Sequence, residues 1–387
     1  MSFNYFKKYL SIFLTLSIII STSMHISAKS QNSSNSMDFN CESAILMDAA
    51  TGTVLYEKNA DKPLPPASVT KIMTLLLVME EIEKGNIQYS DMITTSAYAA
   101  SMGGSQVYLK EGEEMSVEDM LKSVIISSAN DAAVALAEHV CGSEEAFVNK
   151  MNEKAVQLGM QNTHFENTNG LDDTTVNHLT SARDIAIMSR ELIKYDKILE
   201  FSSTWMDTIR NGEFGLTNTN RLVRFYKGAT GLKTGSTDKA KFCISATAKR
   251  DNMHLICVIM GAPSSDIRNS IATQLLNWGF SNCEIYEDEK QSLSPVKINS
   301  GTERYANISS EGFACVVKKG EGKKVKKTII LPNYIDAPVN KTDIIGHIEY
   351  HINGNILGKS NIISEIDIDK IQYWDLFERI LSKFLIK

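Results

Sequence analysis

The sequence predicts an α+β protein: a large domain of helices and antiparallel strands, then a small all-β domain, then a C-terminal amphipathic helix. Three observations carry this expectation. First, 387 residues with 43% hydrophobic and 22% charged side chains can bury a large core, and the length exceeds what one domain usually holds. Second, helical apolar spacing recurs through residue 280, broken by two β-rich runs, 242–248 and 253–260, around a short polar turn. Third, beyond residue 285 the character changes to short alternating apolar runs separated by Gly, Pro, Asn and Lys clusters. The boundaries we expect are a signal segment (1–28), a flexible leader (29–40), a mixed domain (41–284), a β-sandwich domain (285–367) and the terminal helix (368–387).

The signal segment carries Lys7 and Lys8, an apolar stretch over 9–20, and small residues up to Ser27 and Ala28. Its apolar core is shorter than the ~20 residues a membrane span needs, so export is expected. Residues 29–40 are rich in Ser and Asn, which is leader composition. Strands follow at 43–48 and 53–56 around Thr51-Gly52, forming a hairpin in front of Pro65-Pro66-Ala67-Ser68-Val69-Thr70-Lys71 and its apolar continuation. Proline suits a helix entrance and serine an N-cap or first turn, so a helix should begin there. The spacing of Val117, Met120, Leu121, Val124 and Ile125 makes 117–127 a helix that delivers Ser127-Ser128-Ala129-Asn130-Asp131 to a junction with the next helix, 132–140. Residues 147–158 and 181–193 read as amphipathic helices, and 162–177, rich in Asn, Asp, Thr and Gly, as loop. The runs 242–248 and 253–260 form an antiparallel hairpin, and a helix at 270–280 closes the domain. In the β domain, 313–317, 327–331 and 344–351 are strand-like. The last segment, 371–387, puts Tyr373, Trp374, Phe377, Ile380, Leu381, Phe384 and Leu385 on one helical face; that face suits a membrane interface or docking on the β domain.

Charge and cysteine usage exclude several classes. Loss of the signal segment removes two lysines and no acids, taking the net charge from −6 to −8, so nothing points to a nucleic-acid partner. Six cysteines lack any Cys-x-x-Cys spacing. Cys243 and Cys257, in consecutive apolar segments, are the best candidate pair if any disulfide forms, but the favoured reading makes all six small buried hydrophobes or free thiols. The histidines show no His-Glu-x-x-His and no Gly-rich phosphate loop is present, so we expect no metal and no cofactor.

The chemistry centres on Ser68-x-x-Lys71. One turn apart on a helix, the hydroxyl and the amine are neighbours, and a lysine kept neutral by burial or by another cation can take the serine proton. The pattern alone is weak, because Ser236-x-x-Lys239 and Ser294-x-x-Lys297 also match. Order and context strengthen it. Ser68-x-x-Lys71, Ser128-x-Asn130 and Lys233-Thr234-Gly235 fall in sequence on a helix start, a helix junction and a strand.

Together these motifs resemble those of the penicillin-recognising serine enzymes. The flanks Pro66-Ala-Ser-Val-Thr-Lys, Ser128-Ala-Asn-Asp-Ala-Ala and Lys233-Thr-Gly-Ser-Thr-Asp-Lys-Ala are similar to those of the low-molecular-mass D-alanyl-D-alanine carboxypeptidases. The resemblance implies a β-lactamase/transpeptidase-like domain, an antiparallel sheet flanked by helices. It also implies an enzyme that removes the last D-alanine of a peptidoglycan stem peptide and is inhibited covalently by β-lactams, on the outer face of the cytoplasmic membrane. Ser68 would be the nucleophile, Lys71 its base, Ser128 a proton relay and Asn130 a positioning amide. Lys233, Thr234 and Arg268 would receive the substrate carboxylate, and Gly235 would let the strand approach the peptide. The backbone N–H groups of Ser68 and Ser236 would form the oxyanion hole. The family usually has histidine where Ser236 stands, so contacts of that side chain depart from the pattern. For Arg268 alone, a surface salt bridge is the competing reading. A class A β-lactamase would share the motifs but needs a Glu-x-x-Leu-Asn loop, whereas this loop reads Glu166-Asn-Thr-Asn-Gly-Leu. A non-catalytic wall-binding protein is disfavoured by the intact motifs, and a Ser-His-Asp hydrolase by the lack of a Gly-x-Ser-x-Gly elbow.

Overall fold

The computed structural model describes residues 37–385; the expected signal segment and residues 29–36 of the leader lie outside the described residues. The central sheet is built from β1 (Ser43–Asp48), β2 (Val54–Lys58), β3 (Ala229–Thr237), β4 (Lys241–Arg250) and β5 (Met253–Ala262), antiparallel throughout, in the order β2-β1-β5-β4-β3. Side chains alternate across a strand, so Ile45, Met47, Ile256, Val258 and Met260 join a large core shared with the helices. Leu46 and Leu255 point the other way, where Gly279 of a long helix lies against them. With both faces covered, β1 and β5 are nearly continuous apolar runs.

The longer helices around the site are α1 (Lys71–Glu83), entered through a 3-10 turn (Ala67–Thr70), α2 (Val117–Ile126), α3 (Asn130–Cys141), α4 (Glu144–Gln157), α5 (Ala182–Leu192) and α6 (Ser265–Asn282). Four begin on a serine whose hydroxyl accepts a backbone N–H three residues on: Ser116 from Asp119, Ser143 from Ala146, Ser181 from Asp184 and Ser264 from Ile267. Residues 71–79 of α1 are all buried, so this helix runs through the core and the reactive turn at its entrance is held by everything packed around it.

The second sheet system has its own core around Ile308, Ile348, Tyr350 and Ile362. Its strands are β6 (Cys283–Asp288), β7 (Ser292–Asn299), β8 (Tyr305–Ser310), β9 (Phe313–Lys318), β10 (Lys326–Ile330), β11 (Tyr334–Asp336), β12 (Ile344–Ile352) and β13 (Asn355–Ser364). Six form a sheet in the order β10-β12-β13-β8-β7-β11, and β6 pairs with β9. The last helix, α7 (Tyr373–Leu385), leaves Tyr373, Trp374, Leu376, Phe377, Ile380 and Leu381 between 47% and 77% exposed, so these six side chains are not buried against the β strands. Among the described residues no helix is long and apolar enough to cross a membrane.

One expectation is borne out and one is corrected. The β4–β5 register sets Cys257 opposite Ala246, three residues from Cys243, so those two cannot be bridged, and none of the six cysteines is in a disulfide, as the favoured reading had it. The helix expected at 270–280 begins at Ser265, because Ser264-Ser265-Asp266 is polar through N-terminal chemistry, a cap followed by an acid in the first turn, and not because it is loop.

Candidate active site

The turn before α1 explains the spacing of Ser68 and Lys71. In a 3-10 turn the side chains at i and i+3 eclipse, and Lys71 Nζ lies 2.9 Å from Ser68 Oγ. Ala67, which precedes the serine, is in the left-handed region at φ +48° and is held there by its surroundings. On one side is β3, where a Cβ at Gly235 would lie 2.7 Å from the Ser68 nitrogen and 2.9 Å from that of Val69. On the other is the 162–177 loop, where a Cβ at Gly170 would fall 1.9 Å from the Ala67 oxygen. Glycine at 235 is therefore required by the turn that carries Ser68, in addition to any approach of a peptide.

Lys71 is fully buried and has two further partners, Asn130 Oδ1 at 2.6 Å and the Asn169 carbonyl at 2.6 Å. Both are acceptors only. A neutral amine has two N–H groups for these two oxygens and one lone pair left over, directed at Ser68. Burial first, and then the nearby Lys233 cation, holds Lys71 well below the ordinary lysine range, with the Asp131 carboxylate opposing. Asn130 opens α3 and is clamped at both ends of its amide, because Nδ2 donates to Gly103 O at 2.6 Å. Its backbone N–H donates to Ser105 O at 2.7 Å. Ser128, at the α2–α3 junction, has φ +65° and is buried.

Lys233 and Thr234 lie on β3 beside this group. Burial, then the Arg268 guanidinium, pushes Lys233 down to about 7, and Arg268 itself is pushed down to about 10 by burial. Lys233 Nζ donates to Thr234 O at 2.9 Å, and Thr234 Oγ1 to Thr219 Oγ1 at 2.8 Å. Arg268 sits on α6 and is 5% exposed; its hydrogen bonds go to Asn269 Oδ1 at 3.1 Å and Cys243 O at 3.3 Å, which overturns the surface salt-bridge reading.

A cavity of about 220 Å³ is lined by Ser68, Ser128, Thr234, Gly235, Ser236 and Arg268, together with Ser105, Thr219, Phe242 and Ser265. Larger hollows lie elsewhere; one of about 730 Å³, bounded by Glu57, Asn59, Ala60, Asp61 and Lys62, contains no nucleophile. All nine singled-out residues thus converge, six on the cavity wall and Lys71, Asn130 and Lys233 immediately behind it. No carboxylate lines it. Glu166 accepts from the backbone N–H groups of Val176 and Asn177 at 2.9 and 3.0 Å and faces a different hollow. Sequence reasoning missed the carbonyls of Asn169 and Gly103 and the contributions of Ser105 and Thr219. Backbone acceptors leave no side-chain signature; the Asn- and Gly-rich composition of 162–177 was the one available sign.

The family model described as D-alanyl-D-alanine carboxypeptidase matches residues 28–264, and one described as penicillin-binding protein 5, C-terminal domain, matches 280–370. The chain is 44% identical to the D-alanyl-D-alanine carboxypeptidase DacF of Bacillus subtilis over 348 residues, covering 88% of this chain and 89% of that protein. It is 33% identical to DacC of Escherichia coli, covering 89% and 87%. Among solved structures, penicillin binding protein 5 from Haemophilus influenzae superposes with a TM-score of 0.79 at 31% identity, over 86% of this chain and 98% of that one. The chain belongs to the D-alanyl-D-alanine carboxypeptidase family.

Proposed function

We propose that this serine-type D-alanyl-D-alanine carboxypeptidase works through an acyl-enzyme on Ser68, with Lys71 as the base for both half-reactions. The observation that carries the reading is the Lys71 amine, buried and 2.9 Å from Ser68 Oγ, with two carbonyl oxygens for its two N–H groups. Its lone pair takes the Ser68 proton as Oγ attacks the carbonyl between the two terminal D-alanines of a peptidoglycan stem peptide. The N–H groups of Ser68 and Ser236 receive the oxyanion. The proton passes by way of Ser128 to the leaving amine, and D-alanine departs. Water, deprotonated by Lys71, then frees the shortened peptide and regenerates Ser68.

The terminal carboxylate fits the cationic end of the cavity, where Lys233, the Thr234 hydroxyl and Arg268 converge. A β-lactam offers the same carboxylate and an acylating carbonyl, and would acylate Ser68. The exposed aromatic and aliphatic side chains of α7 support attachment to the outer face of the cytoplasmic membrane, and the separate core of 285–367 supports a distinct β domain.

The test is incubation of the purified chain, without residues 1–28, with a peptide ending in D-Ala-D-Ala. Free D-alanine and covalent labelling by a fluorescent penicillin are expected from the parent and neither from Ser68→Ala. Undiminished labelling of that variant would remove Ser68 from the mechanism.

A further inference from the structure

Among the buried titratable groups that the motifs leave unused, His178 lies next to the turn that carries Ser68. His178 is 5% exposed and sits where the 162–177 loop returns toward α5. Its ring touches two elements. Glu166 donates its backbone N–H to Nδ1 at 3.0 Å, so Nδ1 must carry the lone pair. The neutral ring therefore has its proton on Nε2, 2.8 Å from Thr70 Oγ1, and donates there. Thr70, having accepted, donates its own hydroxyl proton to Ala67 O at 2.8 Å. Each donor in this chain of three bonds has one acceptor, and its direction is set by the backbone N–H at its start.

The chain ends on the peptide unit that matters. Ala67 C=O and Ser68 N–H belong to one planar amide and point in opposite directions. Fixing the carbonyl fixes the N–H, and a hydrogen bond accepted by the carbonyl strengthens the N–H as a donor. Ala67 has φ +48°, so this amide is held in a sparsely populated conformation, and Gly170 contacts the same oxygen from the loop side.

We infer that His178 is a positioning residue for the oxyanion hole: through Thr70 it orients the Ala67–Ser68 peptide so that the Ser68 N–H faces the cavity. This rests on the Ser68 reading above. The neutral ring is essential, because a second ring proton on Nδ1 would face the Glu166 N–H, donor against donor. Burial holds His178 down at about 4; the carboxylates of Glu166 and Asp172 favour its proton, and His164 and Lys71 oppose it. Glutamine is the conservative replacement, since its amide can accept from Glu166 and donate to Thr70 without titrating.

The experiment measures acylation by a fluorescent penicillin against pH for the parent, Ser68→Ala, His178→Ala, His178→Gln and Thr70→Val. Loss of one oxyanion donor typically costs about 10² to 10³ in rate, so a misdirected donor should slow acylation roughly 10-fold or more. That loss is expected in His178→Ala and Thr70→Val, in the acylation rate constant and not in the non-covalent Kd. His178→Gln should recover most of it. Below about pH 4 the parent's log rate should steepen with falling pH, and that of His178→Gln should not. Parent-rate acylation by His178→Ala, or a glutamine variant as slow as the alanine one, overturns the inference. Should the His178 variants not fold, parent-rate acylation by Thr70→Val overturns it equally. An unlabelled parent or a labelled Ser68→Ala would instead refute the Ser68 reading beneath.

Discussion

Three cationic side chains, Lys71, Lys233 and Arg268, share one small region and are all buried. Burial lowers all three, a neighbouring cation lowers Lys71 and Lys233 further, and the consequence differs with the role. Lys71 must lose its proton to act as base, whereas Lys233 must keep its proton to hold a carboxylate. In free enzyme kcat/KM should therefore rise as Lys71 deprotonates and fall as Lys233 deprotonates near pH 7. Arginine stays charged across this range. Lys233→Arg should move the falling limb of the kcat/KM profile upward by a unit or more, in the order of magnitude that separates the two side chains. A limb that stays in place would assign it to another group.

At the level of elements, the site is the meeting of β3, the turn before α1, and the α2–α3 junction. The contact of β3 with the turn depends on Gly235, since a Cβ there would stand 2.7 Å from the Ser68 nitrogen. Gly235→Ala should leave the fold intact and slow acylation by about 10² or more, because displacement of a reacting group by ~1 Å costs that much. Labelling kinetics against the thermal midpoint separate the two effects; a variant that acylates at the parent rate would show that the turn yields freely. The terminal helix behaves as a separate element. Its exposed apolar residues bury nothing in the described structure, so deletion of 371–387 should abolish co-sedimentation with anionic lipid vesicles and preserve activity on small peptides. Equal co-sedimentation of the truncated form would count against the anchor.

For the whole molecule the distinguishing property is the lifetime of the acyl-enzyme. General-base assistance to the deacylating water is worth roughly 10² to 10⁴ in rate. Among the described residues no carboxylate lines the cavity, and Glu166 is committed to backbone N–H groups of its own loop, so in the proposed mechanism Lys71 has to serve both steps. After D-alanine leaves, water can enter the vacated space. A β-lactam keeps its leaving group tethered and blocks that approach. Intact-mass measurement should find a penicillin adduct on the Ser68 peptide that persists for minutes or longer while D-alanine release stops. Rapid turnover of penicillin without a detectable adduct would mark the chain as acting like a β-lactamase.

Local physics made much of this legible from the residues alone. The serine cap of α5, the hairpin around Asp251 and Asn252, and the apolar spacing of α2 and α5 are short-range features that could be read directly, whereas the caps at Ser143 and Ser264 went unread and α4 and α6 begin earlier than expected. The three motifs named side chains that the fold brings together, because the nucleophile, base and carboxylate receptor proposed here must be side chains. Register, depth and backbone were decided only by the tertiary structure. Whether Cys243 faces Cys257 depends on the β4–β5 register, which pairs Cys257 with Ala246, and whether Arg268 meets solvent or the cavity depends on α6 starting at Ser265. The acceptors that leave Lys71 one free lone pair are a carbonyl 98 residues away and an amide 59 residues away. The amide belongs to Asn130, which its motif singled out, but the Asn169 carbonyl is set by packing across the core, and a backbone oxygen is the same in every residue, so no motif could have named it.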